Sequence, residues 1–210
     1  MRIETYAALG DSFTAGRESV IGERWADRLA TGLRRVNPEL VYENLAVDGA
    51  DSAEVLEQVS VATALEPDLV TVICGANDVL LTVRPDVEGY EERFSRILAV
   101  LRAELPEAAI VTGTAPESWH FMDLRPRTRK RLADATEALN EATRRIAAEH
   151  DKVLCLPVAG HPALEDPANY AADGLHASQL GHELIARETG RYLQEAFGIE
   201  IGSTELQVGN

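Results

Sequence analysis

Cysteine and positive charge are both scarce in this chain of 210 residues. Only two cysteines occur, Cys74 and Cys155, and both fall in apolar segments typical of buried strands, so we expect reduced thiols and no disulfide framework.

Lysine and arginine number 20 against 35 aspartates and glutamates, which gives a formal net charge of -15. Such a chain repels polyanions, and the single basic cluster at residues 125–131 is too small to reverse this. We therefore exclude nucleic acid as a partner.

Long apolar runs are also missing. No stretch approaches the roughly 18 uninterrupted apolar residues that a membrane-spanning helix requires. Residues 1–10 carry Glu4 within a short apolar stretch and lack the longer apolar region of a secretory signal. These features predict a cytoplasmic protein without stable membrane association, and they leave its oligomeric state open.

The chain contains no internal repeat, low-complexity tract or interdomain linker. Its length suits one domain with a substantial core, which we place at residues 1–197. Residues 198–210 have no helical or strand pattern and are expected to form a C-terminal tail that frays or docks on a neighbour.

Apolar, β-branched segments alternate along the chain with helical patterns. Near-continuous runs of Val, Ile and Leu are typical of parallel strands that are covered on both faces. This alternation predicts an α/β fold with a parallel five-stranded sheet and helices on both faces. In such sheets ligands bind beyond the carboxyl ends of the strands, so the residues after each strand are candidates for chemistry. The predicted strands cover residues 3–10, 40–47, 68–75, 108–115 and 152–158.

A serine follows the first predicted strand, in the stretch GDSFTAG, where Ser12 is a candidate nucleophile. A serine hydroxyl reacts weakly at neutral pH unless a base takes its proton and a third group orients that base. His176 is the natural base, because Asp173 precedes it by three residues in DGLH and can accept a hydrogen bond from Nδ1. These residue types indicate acyl-transfer chemistry.

Attack on an ester also creates an oxyanion, which requires preorganised hydrogen-bond donors. The backbone N–H groups of Ser12 and Gly49 and the side-chain amide of Asn77 follow the first three predicted strands and can converge on one point. Glycine permits close approach of a backbone donor, and the asparagine amide donates without carrying charge.

The four blocks GDSFTAG, NLAVDGADS, GAND and DGLH occur in an order that resembles the SGNH or GDSL hydrolase family. The resemblance implies a flavodoxin-like, three-layer α/β/α sandwich. It implies that Ser12, Asp173 and His176 are catalytic, that Ser12, Gly49 and Asn77 form the oxyanion hole, and that no cofactor is used. Ala76 stands where many members of the family have threonine, and this departure concerns the positioning of Asn77.

Simpler interpretations of these residues stay open from the sequence alone. Serine before a helix is typical of an N-cap, and Gly49 and Asn77 are typical turn residues. Asp173 can cap the turn that follows it, and Asp11 is expected to brace its own turn through local hydrogen bonds. His182 lies off the helical face of His176, so we place it at the surface or just behind the site.

The loop after the fourth predicted strand holds the candidate substrate pocket, residues Trp119, His120, Phe121 and Met122. Aromatic and methionine side chains beside a site line acyl pockets, and they equally serve as plugs over a sheet edge. The histidines lack the spacing of metal ligands, so no metal is expected.

The sequence therefore predicts a serine esterase that hydrolyses carboxylic (acyl or acetyl) esters of small molecules. A carbohydrate O-acetylesterase, or a lysophospholipase- or thioesterase-like enzyme, would use the same mechanism on another substrate. A non-catalytic binding module on the same fold is the alternative from a different class.

Overall fold

The computed structural model describes residues 1–80, 83–117 and 121–202. Five strands form one sheet in the order β2-β1-β3-β4-β5, and every neighbouring pair is parallel. Because the order reverses beside β1, the point between β1 and β3 is where ligands bind in open sheets of this kind. The strands are β1 (Thr5–Gly10), β2 (Val41–Asn44), β3 (Leu69–Ile73), β4 (Ala109–Gly113) and β5 (Val153–Leu156).

Seven α-helices connect and cover these strands in the described part of the chain. Local sequence sets several of their ends: Asp51 and Glu54 form the capping box that starts α3, and Pro126 opens α6. The helices are α1 (Ser12–Ala15), α2 (Trp25–Val36), α3 (Ser52–Thr63), α4 (Ala76–Leu80), α5 (Val87–Glu104), α6 (Pro126–Ala148) and α7 (Gln179–Phe197).

The sheet has a separate apolar core on each face. On one face α2 and α7 pack together, with Trp25, Leu29 and Leu193 fully buried. On the other face α3, α5 and α6 form the second layer, with Phe94 and Leu98 fully buried. Burial of such large side chains on both faces stabilises the sheet between the two helical layers. The predicted three-layer sandwich with a flavodoxin-like strand order is confirmed.

The strands are shorter than the apolar segments that predicted them. β2 covers only Val41–Asn44 and alternates exposed with half-buried residues, as expected for the edge of the sheet. Cys74 is buried just beyond β3, Cys155 lies within β5, and both are free thiols. No helix in the described ranges is long and apolar enough to cross a membrane.

Candidate active site

The turn after β1 presents Ser12 at the carboxyl edge of the sheet. Asp11 is the N-cap of α1, and its carboxylate accepts a hydrogen bond from the Phe13 N–H at 2.9 Å. Ser12 is therefore the first helical residue and not the cap. Gly10 has φ of 147°, and a Cβ there would collide with the Ile73 carbonyl oxygen of β3. The turn thus requires glycine at residue 10.

Asp173, His176 and Ser12 form a continuous chain of contacts. His176 Nε2 lies 2.9 Å from Ser12 Oγ, and His176 Nδ1 lies 2.6 Å from Asp173 Oδ2. The other carboxylate oxygen of Asp173 accepts from the backbone N–H groups of Leu175 and His176, at 2.9 and 3.0 Å. Ser12 is 9% and His176 7% exposed, so the contact between them is largely shielded from water, whereas the Asp173 side chain is 37% exposed.

Asp173 is held in its ionised form. Partial burial opposes ionisation, but the hydrogen bonds from the His176 side chain and from two backbone N–H groups outweigh it and lower the pKa of Asp173 to about 2. An ionised Asp173 accepts the Nδ1 proton of His176, which leaves Nε2 unprotonated toward Ser12.

The three expected oxyanion donors also lie at this edge of the sheet, after β1, β2 and β3. Gly49 has φ of 82°, a left-handed conformation that glycine adopts without strain. Asn77 Nδ2 donates to the Ala50 carbonyl at 2.9 Å, which fixes the amide and leaves its second N–H available. Among the described residues, no acceptor takes a hydrogen bond from the backbone N–H of Ser12 or Gly49.

Three side chains from outside α1 cap its last carbonyls. Trp25 Nε1 donates to the Phe13 carbonyl at 3.1 Å, and Asn44 Nδ2 donates to the Thr14 carbonyl at 3.0 Å. Arg24 reaches the Ala15 carbonyl at 3.4 Å. A helix of four residues satisfies few of its own carbonyls, so these donors fix the short helix that carries Ser12. The sequence contains no signal for these contacts.

Gln58 secures the same turn from the other face of the sheet. Its side-chain amide accepts from Gly10 N–H at 2.8 Å and donates to the Gly10 carbonyl at 2.9 Å. The sequence carries a signal for this residue, because Gln58 falls between Val55, Val59 and Ala62 on the apolar stripe of α3. A buried amide in such a stripe requires hydrogen-bond partners.

Two further titratable groups are buried close to the turn. Burial raises the pKa of Asp11 to about 7, although the Phe13 N–H opposes the shift, and the nearby Asp78 contributes to it.

His182 is 1% exposed, which excludes the surface position and places it behind the site. Its Nδ1 accepts from the Trp25 backbone N–H at 3.2 Å. Burial, aided by Arg28, lowers the pKa of His182 to about 4.

Of the candidate pocket residues, Trp119 and His120 lie outside the described residues. Phe121 lines an open cavity of about 450 Å³ together with Gly160 and Leu164, and its ring centre lies 4.8 Å from that of Tyr170. Met122 packs against the core on the α5 and α6 side. The described ranges contain no cluster of three or more metal-ligating side chains.

A family model described as the GDSL-like lipase/acylhydrolase family matches residues 8–184. A GDSL esterase/lipase of Arabidopsis thaliana is 27% identical over 222 aligned residues, which cover 95% of this chain and 88% of the relative. A GDSL lipase of Mycobacterium tuberculosis is 28% identical over 195 residues, which cover 88% and 79% of the two chains.

Solved structures show the same fold at low sequence identity. The lipase/acylhydrolase of Enterococcus faecalis is 22% identical with a TM-score of 0.70, covering 98% of this chain and 100% of that chain. The psychrotrophic esterase EstA of a Pseudoalteromonas species is 17% identical with a TM-score of 0.71, covering 93% and 99%. Because the family model spans most of the sequence, the chain belongs to the GDSL-like lipase/acylhydrolase family and is a serine ester hydrolase of the GDSL type.

Proposed function

We propose that the enzyme hydrolyses carboxylic esters of small molecules, with Ser12 as the nucleophile, His176 as the general base and acid, and Asp173 as the group that orients His176. The observation that carries the proposal is the chain of contacts from Ser12 Oγ to His176 at 2.9 Å and on to Asp173 at 2.6 Å. A nucleophile, its base and the group that orients the base are the parts that acyl transfer through a serine requires.

The reaction begins when Ser12 Oγ attacks the ester carbonyl carbon and its proton passes to His176 Nε2. The carbonyl oxygen becomes an oxyanion, which the N–H groups of Ser12 and Gly49 and the Asn77 amide stabilise. When the tetrahedral intermediate collapses, the ester C–O bond breaks and His176 gives its proton to the departing alkoxide. Asp173 stays ionised throughout and stabilises the positive charge on the imidazole.

Deacylation repeats these steps with water. His176 takes a proton from water as the oxygen attacks the acyl-enzyme, a second oxyanion forms, and the bond to Ser12 Oγ breaks. The proton returns to Ser12 through His176, and the carboxylic acid leaves. Every proton transfer passes through His176 Nε2, which exchanges protons in turn with Ser12, the leaving alkoxide and water, and no cofactor takes part in the scheme.

The direct test replaces Ser12 with alanine and measures hydrolysis of p-nitrophenyl acetate. Removal of the nucleophile is expected to lower kcat by about 10⁴-fold or more. Ser60→Ala, which removes an exposed hydroxyl on α3, is the matched control and should keep the parent rate. Retention of parent activity by Ser12→Ala would refute the assignment.

A fluorophosphonate probe tests the site independently of substrate choice. The parent should become labelled at Ser12, whereas Ser12→Ala should not, and mass spectrometry of the labelled peptide identifies the residue. Complete inertness of the folded parent toward the probe would instead favour a non-catalytic binding module. The acyl and alcohol preferences then follow from a panel of p-nitrophenyl esters of increasing chain length, acetylated sugars, lysophospholipids and thioesters.

A further inference from the structure

A buried carboxylate directly follows Asn77. The side chain of Asp78 is 1% exposed and lies in α4, at the end of β3. Its Oδ2 accepts from the backbone N–H of Ser52 at 3.0 Å, and its Oδ1 accepts from Ser52 Oγ at 2.6 Å. Ser52 is the first residue of α3, so these two bonds tie the loop after β2 to the turn after β3.

Arg93 of α5 completes the cluster. Its guanidinium donates to Asp78 Oδ1 at 2.9 Å and to Ser52 Oγ at 2.7 Å. A third bond, to Asp86 at 2.9 Å, holds the guanidinium at the start of its own helix. The Arg93 side chain is only 27% exposed, so its charge compensates a carboxylate that is otherwise costly to bury.

The cluster lies between the two loops that carry the expected oxyanion donors. Gly49 precedes Ser52 by three residues, and Asn77 precedes Asp78 by one. The Asn77 amide forms a further tie between the same loops, because it donates to the Ala50 carbonyl at 2.9 Å. The distance between the Gly49 N–H and the Asn77 amide therefore depends on the bonds that Asp78, Ser52 and Arg93 make.

We propose that Asp78, Ser52 and Arg93 form an oxyanion clamp, a set of positioning residues that fixes the Gly49 and Asn77 donors at the separation which the transition state requires. The inference rests on the proposed function, in which these two groups stabilise the oxyanion. None of the three clamp residues touches the substrate. They act through the two donors, and their removal weakens stabilisation of the transition state more than binding of the ester.

The first experiment compares Arg93→Met with Arg145→Met. Arg145 also bonds to α5, through Glu91, but its side chain is 54% exposed and far less buried than Arg93, so it serves as the matched control. Sites are counted with the fluorophosphonate probe, and kcat is expressed per labelled site. We expect Arg93→Met to lower kcat about 10- to 100-fold with KM within about twofold, because small displacements of catalytic groups have effects of that size. Arg145→Met should keep the parent kcat.

The readout separates positioning from folding. A merely structural role would reduce the number of labelled sites and the Tm while leaving kcat per site unchanged, and that result would overturn the inference. Affinity for a trifluoromethyl ketone, which forms an oxyanion on the enzyme, should fall in parallel with kcat/KM. If affinity for the ketone stays at the parent level, the clamp does not position the donors.

Ser52→Ala keeps the test decisive if Arg93→Met does not fold. This variant removes one hydroxyl, leaves the Arg93 to Asp78 ion pair in place, and should lower kcat per site about 3- to 10-fold. An unchanged kcat per site would overturn the inference even where Ser12→Ala is inactive. Conversely, parent activity in Ser12→Ala would refute the proposed nucleophile, so the two failures are distinguishable.

Discussion

At the scale of single residues, the buried His182 behind the site makes the free energy of unfolding depend on pH. The unfolded chain protonates this histidine near its ordinary pKa of 6.5, whereas the folded protein resists protonation until about pH 4. Between these values the unfolded state binds more protons, so the free energy of unfolding falls as the pH falls. Relative to His182→Asn, we expect the parent to lose about 2 kcal/mol between about pH 7.5 and about pH 4.5.

Urea denaturation of both proteins at the two pH values measures this difference, and His150→Gln provides a control at a less buried histidine. Parallel pH profiles for the parent and His182→Asn would contradict the prediction. The measurement compares slopes, so any constant cost of placing asparagine at residue 182 cancels. Asparagine suits the comparison because its side-chain oxygen can accept the Trp25 N–H as His182 Nδ1 does.

The residues differ in how far the sequence alone could identify them. Ser12 and His176 stand out because each follows a predicted strand and has a reactive side chain, and the structure brings the two within 2.9 Å. Arg93 has no such signal, since it is an ordinary arginine of an amphipathic helix until α5 packs beside α3. Its role depends on contacts between segments distant in sequence, which hydrophobic periodicity does not encode.

At the scale of elements, the alternation of strands and helices was sufficient to predict the sheet, and the structure confirms it. The stability of α1 does not follow from this alternation, because a helix of four residues is not stable by itself. It persists because side chains from α2 and β2 supply the donors that its carbonyls lack. Pattern analysis identifies an amphipathic helix such as α5, but not an element whose hydrogen bonds come from elsewhere in the fold.

The α1 contacts predict the effect of Trp25→Phe. This change keeps an aromatic ring in the core, but it removes the Nε1 donor to the Phe13 carbonyl together with part of the buried indole. We expect kcat to fall about tenfold, because α1 loses a bond that fixes Ser12. The free energy of unfolding should fall by about 2–3 kcal/mol, because the lost bond and the space left by the missing part of the indole both cost stability. Steady-state kinetics and urea denaturation measure the two effects.

Tyr6→Phe is the matched control for this element. It removes one buried hydrogen bond, between Tyr6 and Thr71 at 3.0 Å, at the opposite end of β1 from Ser12. The control should lose about 1 kcal/mol of the free energy of unfolding, less than Trp25→Phe loses, and keep the parent kcat. Equal kcat values in Trp25→Phe and the parent would show that α1 does not need this donor.

At the scale of the whole molecule, the two ends of the described chain meet on the layer formed by α2 and α7. The amino group of Met1 donates to the Gly198 carbonyl, and Gly202 N–H donates to the Gly32 carbonyl at 3.0 Å. Ile199 is fully buried in the core beneath these helices. The sequence left open whether this segment frays or docks, because a few apolar residues after a helix have no periodicity to interpret.

Ile201 occupies the space that two glycines leave between α2 and α7. A Cβ on Gly32 would lie 2.7 Å from Ile201 Cγ2, and one on Gly190 would lie 3.1 Å from Ile201 Cδ1. In an unobstructed helix interior, glycine to alanine stabilises a protein by roughly 0.5–1 kcal/mol. Here the added methyl group displaces a packed side chain, and such overpacking costs about 1–3 kcal/mol.

The effect of Gly32→Ala on the free energy of unfolding is therefore expected to have opposite signs in the parent and in a variant that lacks the Ile201 side chain. In the parent it should lower the free energy of unfolding, because the cost of displacing Ile201 exceeds the gain in helix propensity. In an Ile201→Ala background the obstructing Cγ2 is gone, and the same change should raise the free energy of unfolding by about 0.5 kcal/mol. Urea denaturation of the four proteins forms a double-mutant cycle. Equal effects of Gly32→Ala in both backgrounds would mean that Ile201 does not occupy this position in solution, and that α2 and α7 form their layer without the tail.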